Sequence, residues 1–274
     1  MKILVPSDFS KSSNIGALNA AKFSKKINAE MVLLHVVHFE HPPMVQVSVY
    51  IEHKIEDIRI AEASKDCVVL VNELKSKVEG VQISFKIIHG FPVEDTIESY
   101  VKTNEIDLII MGTGGASGLS KVLFGSNAVA VINKSSVPVI TVPEASNFNN
   151  VKRIVCAFDM DKDQSEIQKI IQFAKIFDAS VDVIHILPQD FKIKIDINGL
   201  EKSLIEKHKY QKISFHIVHN KDVIEGINKF VADVKADILA MWTHESGFFE
   251  KLFKTSFSKE VAFHSLVPLL TFKK

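Results

Sequence analysis

Between Met111 and Asn127 the chain reads Met-Gly-Thr-Gly-Gly-Ala-Ser-Gly-Leu-Ser-Lys-Val-Leu-Phe-Gly-Ser-Asn. An apolar run, Ile106 to Ile110, broken only by Asp107, precedes it. Ala128, Val129, Ala130, Val131 and Ile132 follow, able to lie on one buried face of a helix. The glycines therefore stand where a strand ends and a helix begins. Glycine tolerates positive φ and lets a ligand approach the backbone. Successive N–H groups in such a turn, with the first turn of the following helix, make a concave anion site. The chemistry on offer is phosphate binding.

The same residues, Gly114, Gly115 and Gly118, could instead build a plain surface loop. The spacing favours the anion site: Gly112, two residues, Gly115, nine residues, then Gly125-Ser126 at the helix start. No Gly-Lys-Ser/Thr closes the segment, as it would in a P-loop, and the dinucleotide fingerprint Gly-x-Gly-x-x-Gly does not fit.

The elements that must hold this loop follow from the patterning upstream. Lys2 to Ser7 is an apolar run that turns at Pro-Ser-Asp, and Ser10 to Ser13 can cap a helix whose apolar residues are Ile15, Ala17, Leu18, Ala21, Phe23 and Ile27. Asn28-Ala29 ends that helix and Glu30 to Val37 reads as a second buried strand. Strand, helix and strand in this order form a βαβ unit with parallel strands. Met44 to Tyr50 fits either a strand or the first turns of a helix. Ile51 to Glu79 is helical, with Ile55, Ile58, Ile60, Ala61, Ala63, Val68, Val71 and Leu74 as its apolar set and Gly80 as its end. Val81 to His89 is a third strand, Gly90-Phe91-Pro92 a turn, Val93 to Asn104 a helix, Asp107 to Met111 a fourth strand and Val137 to Val142 a fifth.

After a polar, Asn-rich stretch the pattern starts again. Ile154 to Asp159 mirrors Ile3 to Asp8, and Val181 to Ile186 mirrors Met31 to Val36. Ile213 to His219 follows Ile83 to His89 at an offset of 130, which also carries Asp107 to Asp237, Met111 to Met241, Thr113 to Thr243 and Pro138 to Pro268. Asp8 and Asp159 are 151 apart, so about 21 residues (151 − 130) are missing from the second copy, and its counterpart of the long helix should be short, around Asn198 to His208. A repeat of this length means duplication of one α/β domain. The boundaries expected are 1–145 and 151–274, with 146–150 as linker.

Composition narrows the class. The chain has 274 residues, 46% hydrophobic and 24% charged, enough core-forming material for two domains of ordinary size. Lys plus Arg (33) cancel Asp plus Glu (33), which argues against nonspecific binding to nucleic acid. No apolar run approaches a membrane span and the start has no secretion-signal pattern, so a cytoplasmic location is expected. Cys67 and Cys156 are widely separated, make no CxxC, and read as small buried hydrophobes of a reduced compartment.

The glycine spacing, Gly-x-x-Gly-x9-Gly-Ser/Thr, resembles the ATP-binding motif of the universal stress protein family. The likeness extends to the Asp at the end of strand one, the His of strand two, the His-Gly-x-Pro turn after strand three and the Val-Pro-Val strand near the end. It covers nearly the whole chain twice and resembles the tandem members. What it implies is an adenine nucleotide alpha hydrolase-like fold: two doubly wound domains, each an open five-stranded parallel sheet with helices on both faces. ATP would lie beyond the carboxyl ends of the strands. Carried over by position, Asp8 would contact ribose or adenine, with Pro6 and Ser7 shaping that wall. Val36 and Val37 would border adenine, giving it main-chain hydrogen bonds and an apolar face. Gly112, Gly115, Gly125, Ser126 and Asn127 would hold the triphosphate, and Met111 and Thr113 would sit beside the ribose. Mg²⁺ would be held largely by the phosphates and water.

The second copy departs where it matters. Trp242, His244 and Glu245 stand at the positions of Gly112, Gly114 and Gly115, and Thr255-Ser256 replaces Gly125-Ser126. Bulk and negative charge in the cradle would exclude ATP there, and Asp159 alone reads as structural. The resemblance also implies that the two domains pair through their last strands, with a homodimer as a further state. Other constellations carry less: His38-x-x-His41, with His53 nearby, offers two zinc ligands without a third. His35, His89, His185 and His219 recur in both copies, which suggests structural service, and Phe248, Phe249, Phe253 and Phe257 suit packing. The function expected on these grounds is a nucleotide-responsive stress-adaptation module that binds ATP in its first domain, with a slow ATPase or autophosphorylating enzyme and a nucleotide-free scaffold as the alternatives.

Overall fold

The computed structural model describes residues 1–38, 49–114, 125–144, 146, 150–158, 167–188, 196–243 and 267–273, with the backbone alone at 49–53. The chain divides into two compact units, Met1–Glu144 and Ala145–Lys274. Most of the expected linker 146–150 lies outside the described residues.

Unit one contains β1 (Lys2–Pro6), α1 (Lys11–Ile27), β2 (Glu30–Val37), α2 (Val49–Lys77), β3 (Gln82–His89), α3 (Val93–Thr103), β4 (Leu108–Gly112), α4 (Ser126–Lys134) and β5 (Val139–Val142). Its strands lie in the order β3-β2-β1-β4-β5, all parallel. Ile3, Leu4 and Val5 are wholly buried, as a central parallel strand covered on both faces requires. α1 touches α2 and α3 touches α4, one helical layer per face, as right-handed crossovers produce. The strand order reverses between β1 and β4. That switch point opens a crevice at their carboxyl ends, where Pro6 and Gly112 stand.

Unit two repeats the plan with β6 (Arg153–Ala157), α5 (Ile167–Phe177), β7 (Ser180–Leu187), α6 (Ile197–His208), β8 (Ile213–His219), α7 (Val223–Asp233), β9 (Ile238–Thr243) and β10 (Leu269–Lys273). The order is β8-β7-β6-β9-β10, again parallel. α6 has 12 residues against 29 in α2, the shortening expected from the missing segment. The recurrent aspartates have a structural use. Asp107 accepts the Lys2 N–H at 2.7 Å, and Asp237 accepts those of Lys152 and Arg153 at 2.7 and 2.9 Å, so each ties the start of the first strand to its neighbour. The backbone repeats even where side chains do not: Glu105 and Lys235 follow equivalent helices with φ of 52° and 53°.

Several expectations shift. β5 begins at Val139 rather than Val137, because Ser135 Oγ donates to the Val137 carbonyl at 2.8 Å and accepts its N–H at 3.2 Å, taking those groups out of the ladder. Val49 and Tyr50 are helical, while 44–48 lie outside the described residues. In α2 the buried set is Ala63, Cys67, Leu70, Val71 and Leu74, and Ile55, Ile58, Ile60 and Val68 are exposed. A 29-residue helix is about 43 Å long and an 8-residue strand about 26 Å, so the first half of α2 outruns the sheet it packs on. No helix among the described residues is long and apolar enough to cross a membrane.

Both cysteines are free and buried. Burial, with a smaller contribution from Asp66, pushes the Cys67 thiol up to about 11, so it stays protonated at neutral pH. Native protein should therefore leave Cys67 untouched by Ellman's reagent and release it only in denaturant. Labelling of folded protein at the rate of a free thiol would contradict this packing.

Candidate functional site

The crevice at the switch point is a cavity of about 400 Å³ in unit one. Pro6, Ser7 and Asp8 from the end of β1 line one side. Val36 contributes from β2, Met111, Gly112 and Thr113 from β4, and Gly125, Ser126 and Asn127 from the start of α4. Val37 is buried and does not line the cavity. Gly115 and Gly118 lie outside the described residues, as do Asp159, His244, Glu245, Thr255, Ser256, His41 and the Phe248–Phe257 group; of His53 only the backbone is described.

The β1 side is a hydrogen-bonded turn. Ser10 caps α1 by accepting the Ser13 N–H, and Asp8 Oδ1 accepts the Ser10 N–H at 3.0 Å. Ser13 Oγ donates to the Ser10 carbonyl at 3.0 Å, which leaves the Ser7 hydroxyl to donate to Ser13 Oγ at 3.2 Å. Burial works against ionisation of Asp8, but hydrogen bonds from Ser10 and Ser13 outweigh it and hold its carboxyl below the usual carboxylate range. Phe9 adopts φ of 60°, unusual for a bulky residue. Its N–H bonded to Ser7 Oγ and its ring stacked on His35 at 4.6 Å hold it there. His35 Nδ1 lies 2.8 Å from the Ser7 carbonyl, an acceptor only, so Nδ1 carries the proton; His185 does the same to Phe158 at 3.0 Å. The recurring histidines of the second strands thus tie each to the end of the first.

The β4 side depends on close backbone approach. A Cβ at Gly112 would sit 2.2 Å from the Ser12 carbonyl oxygen, and one at Gly16 would sit 2.4 Å from the Gly112 nitrogen. The α1 face against β4 is accordingly Ser12, Ser13, Gly16, Ala17 and Ala20, all buried, whereas Ile15, Leu18 and Ile27 are only half-buried. Ser12 Oγ accepts the Gly114 N–H at 2.9 Å, and the Gly125 N–H meets the Thr113 carbonyl at 2.7 Å, so the two ends of the glycine segment are drawn together. α4 starts at Gly125 with no side-chain cap, and Ser126 and Asn127 are exposed. The N-terminal donors and positive dipole end of α4 therefore face the cavity, an arrangement that accepts an anion.

Apolar periodicity passes over Ser12, Ser13, Gly16 and His38. The first three carried a readable signal, small residues recurring at i, i+1, i+4 and i+5 along a helix, the mark of close approach. Val93 and Ile97 of α3 also line the cavity.

In unit two Trp242 occupies the position of Gly112 and is buried. Its ring meets Phe158 edge-on at 5.9 Å and stacks on Phe272 at 5.8 Å. Phe158 stands where Ser7 does, so a polar wall has become aromatic along with the glycine. The indole Nε1 is buried without a hydrogen-bond partner among the described residues.

Fold and site together define a class of open parallel α/β domains that present a glycine segment and an uncapped helix start at the switch point of the sheet. A family model described as the Universal stress protein family matches residues 1–143 and again 150–273. The chain belongs to the universal stress protein family, and carries its domain twice. It is 29% identical over 141 residues to universal stress protein MJ0531 of Methanocaldococcus jannaschii, covering 52% of this chain and 81% of that protein. Universal stress protein MJ0577 of the same organism is 32% identical over 159 residues, with 52% of this chain and 93% of that protein covered. A crystal structure of a universal stress protein from Archaeoglobus fulgidus superposes with a TM-score of 0.70 at 20% identity, covering 100% of this chain and 96% of that one.

Proposed function

We propose that unit one binds ATP and that the protein acts as a nucleotide-responsive module of stress adaptation in the cytoplasm, with unit two a degenerate partner that does not take ATP in the same way. The observation that carries this reading is the convergence of the β1 turn, the β4 glycines and the uncapped start of α4 on one cavity. Its volume of about 400 Å³ lies in the range of small-molecule sites. Backbone donors suit phosphate oxygens, Asp8 suits sugar hydroxyls, and Leu34, Val36, Val93 and Ile97 supply an apolar wall for a base. Asp8 is the one carboxylate among the described lining residues and its Oδ1 already accepts from Ser10, so Mg²⁺ would be held by phosphate oxygens and water. In unit two the Phe158–Trp242–Phe272 cluster fills the corresponding wall. Bound ATP would favour one conformation in proportion to its difference in affinity between states.

Titration calorimetry with ATP, with and without Mg²⁺, tests the reading. One ATP per chain is expected, with affinity reduced at least tenfold in Asp8→Ala and abolished in Gly115→Glu. No heat of binding, or two sites per chain, would overturn it. Phosphate release measured in parallel separates a bound ligand from a turned-over substrate.

A further inference from the structure

One step beyond Val37, at the end of β2, His38 lines the same cavity. Against its ring lies Phe91, with centroids 6.3 Å apart and planes 27° from parallel, and Phe91 is 70% exposed. The turn that presents Phe91 is tightly built. The Gly90 N–H donates to the Val37 carbonyl at 3.1 Å, and Thr96 Oγ1 donates to the Pro92 carbonyl at 3.0 Å. A Cβ on Gly90 would strike Thr96 Oγ1 at 2.2 Å. On the other side Arg59 donates to the His38 carbonyl at 3.3 Å.

The duplication supplies an internal control. In unit two the equivalent hydrogen bond is kept, the Asn220 N–H donating to the Leu187 carbonyl at 3.0 Å, although Asp222 stands where Pro92 closes a cis peptide in unit one. Yet Lys221 stands where Phe91 does, and Pro188 where His38 does. That hydrogen bond therefore forms without either ring. The rings occur together only in the copy that retains the glycine segment.

Resting on the nucleotide reading of the cavity, we propose that His38 and Phe91 are specificity residues: an aromatic wall at the base end of the cavity that stacks on a purine and sets its preference over a pyrimidine. Stacking suits this position because His38 puts a π-face in the lining beside the aliphatic Leu34, Val36, Val93 and Ile97, and the exposed Phe91 ring, not itself a lining residue, lies against it. A purine offers a larger face than a pyrimidine, and base–aromatic stacking contributes on the order of tenfold in affinity per base.

The test is calorimetry with ATP, UTP and inorganic tripolyphosphate on the full chain, on Phe91→Ala, on Phe91→Lys, which copies unit two, and on Phe91→Trp. Phe91→Ala and Phe91→Lys should each weaken ATP about tenfold, narrow the ATP-to-UTP ratio by a similar factor and leave tripolyphosphate affinity unchanged, while Phe91→Trp keeps or raises ATP affinity. His38→Ala should narrow the same ratio. An unchanged ATP-to-UTP ratio in folded Phe91→Ala and Phe91→Lys overturns this inference while leaving ATP binding intact. Absence of ATP binding by the wild-type chain overturns both.

Discussion

Ser126→Glu is expected to weaken ATP binding by about 100-fold or more while leaving the protein as stable as before or slightly more so. Ser126 is the first residue of α4, is exposed, and lines the cavity behind an N-cap that offers no side-chain acceptor. A glutamate there complements the positive end of the helix dipole, worth about 0.3 to 1 kcal/mol. The same carboxylate sits in the anion site. Two unit charges about 4 Å apart near a protein surface repel by roughly 4 kcal/mol, so a triphosphate should lose on the order of 100-fold in affinity or more. Adenosine, which has no phosphate, should bind Ser126→Glu as it binds wild type. Calorimetry with ATP and adenosine beside a thermal melt gives all three quantities. Undiminished ATP affinity would mean that the start of α4 does not hold the phosphates.

Gly16→Ala is expected to destabilise unit one by about 2 kcal/mol, against the direction of helix propensity. In an isolated helix Ala is preferred to Gly by about 1 kcal/mol. Here the new Cβ would lie 2.4 Å from the Gly112 nitrogen and 2.8 Å from the Met111 carbonyl carbon, both backbone atoms of a central strand that cannot rotate away. Overpacking of a close-packed contact typically costs 1–3 kcal/mol, and the required shift falls on the strand end that lines the cavity. Urea denaturation should show the transition of unit one moving to lower concentration, with ATP affinity falling beside it. A shift to higher stability would mean that α1 and β4 are not in this contact.

Much of the architecture was legible because it is written in local pattern. β2 spans Glu30–Val37 as its apolar run required, and Ser10 and Asn28 bound α1 as their side chains allow. The apolar pattern of α2 marked the helix but not the residues it buries, since Ile55, Ile58, Ile60 and Val68 are exposed. The cavity was partly legible: the glycines mark where backbone must be bare, and the aspartate after an apolar run marks a strand end. Of the two residues expected to border adenine, Val36 lines the cavity and Val37 does not. Ser12 and Gly16 were overlooked because apolar periodicity measures what side chains gain by leaving water, not how near two backbones come.

By itself the sequence determined that one α/β domain occurs twice, and that the first copy keeps bare backbone where the second has a tryptophan, since repeats and glycine spacing are properties of the chain alone. Only the tertiary structure decided which distant residues share a surface. It set Ser12 on Gly114, brought Phe158 onto Trp242 as two substitutions 84 positions apart, and stacked Phe91 on His38. The physical reason is that a parallel sheet draws the ends of non-consecutive strands to one edge. Residues there meet through strand order and crossover hand, which no local pattern encodes.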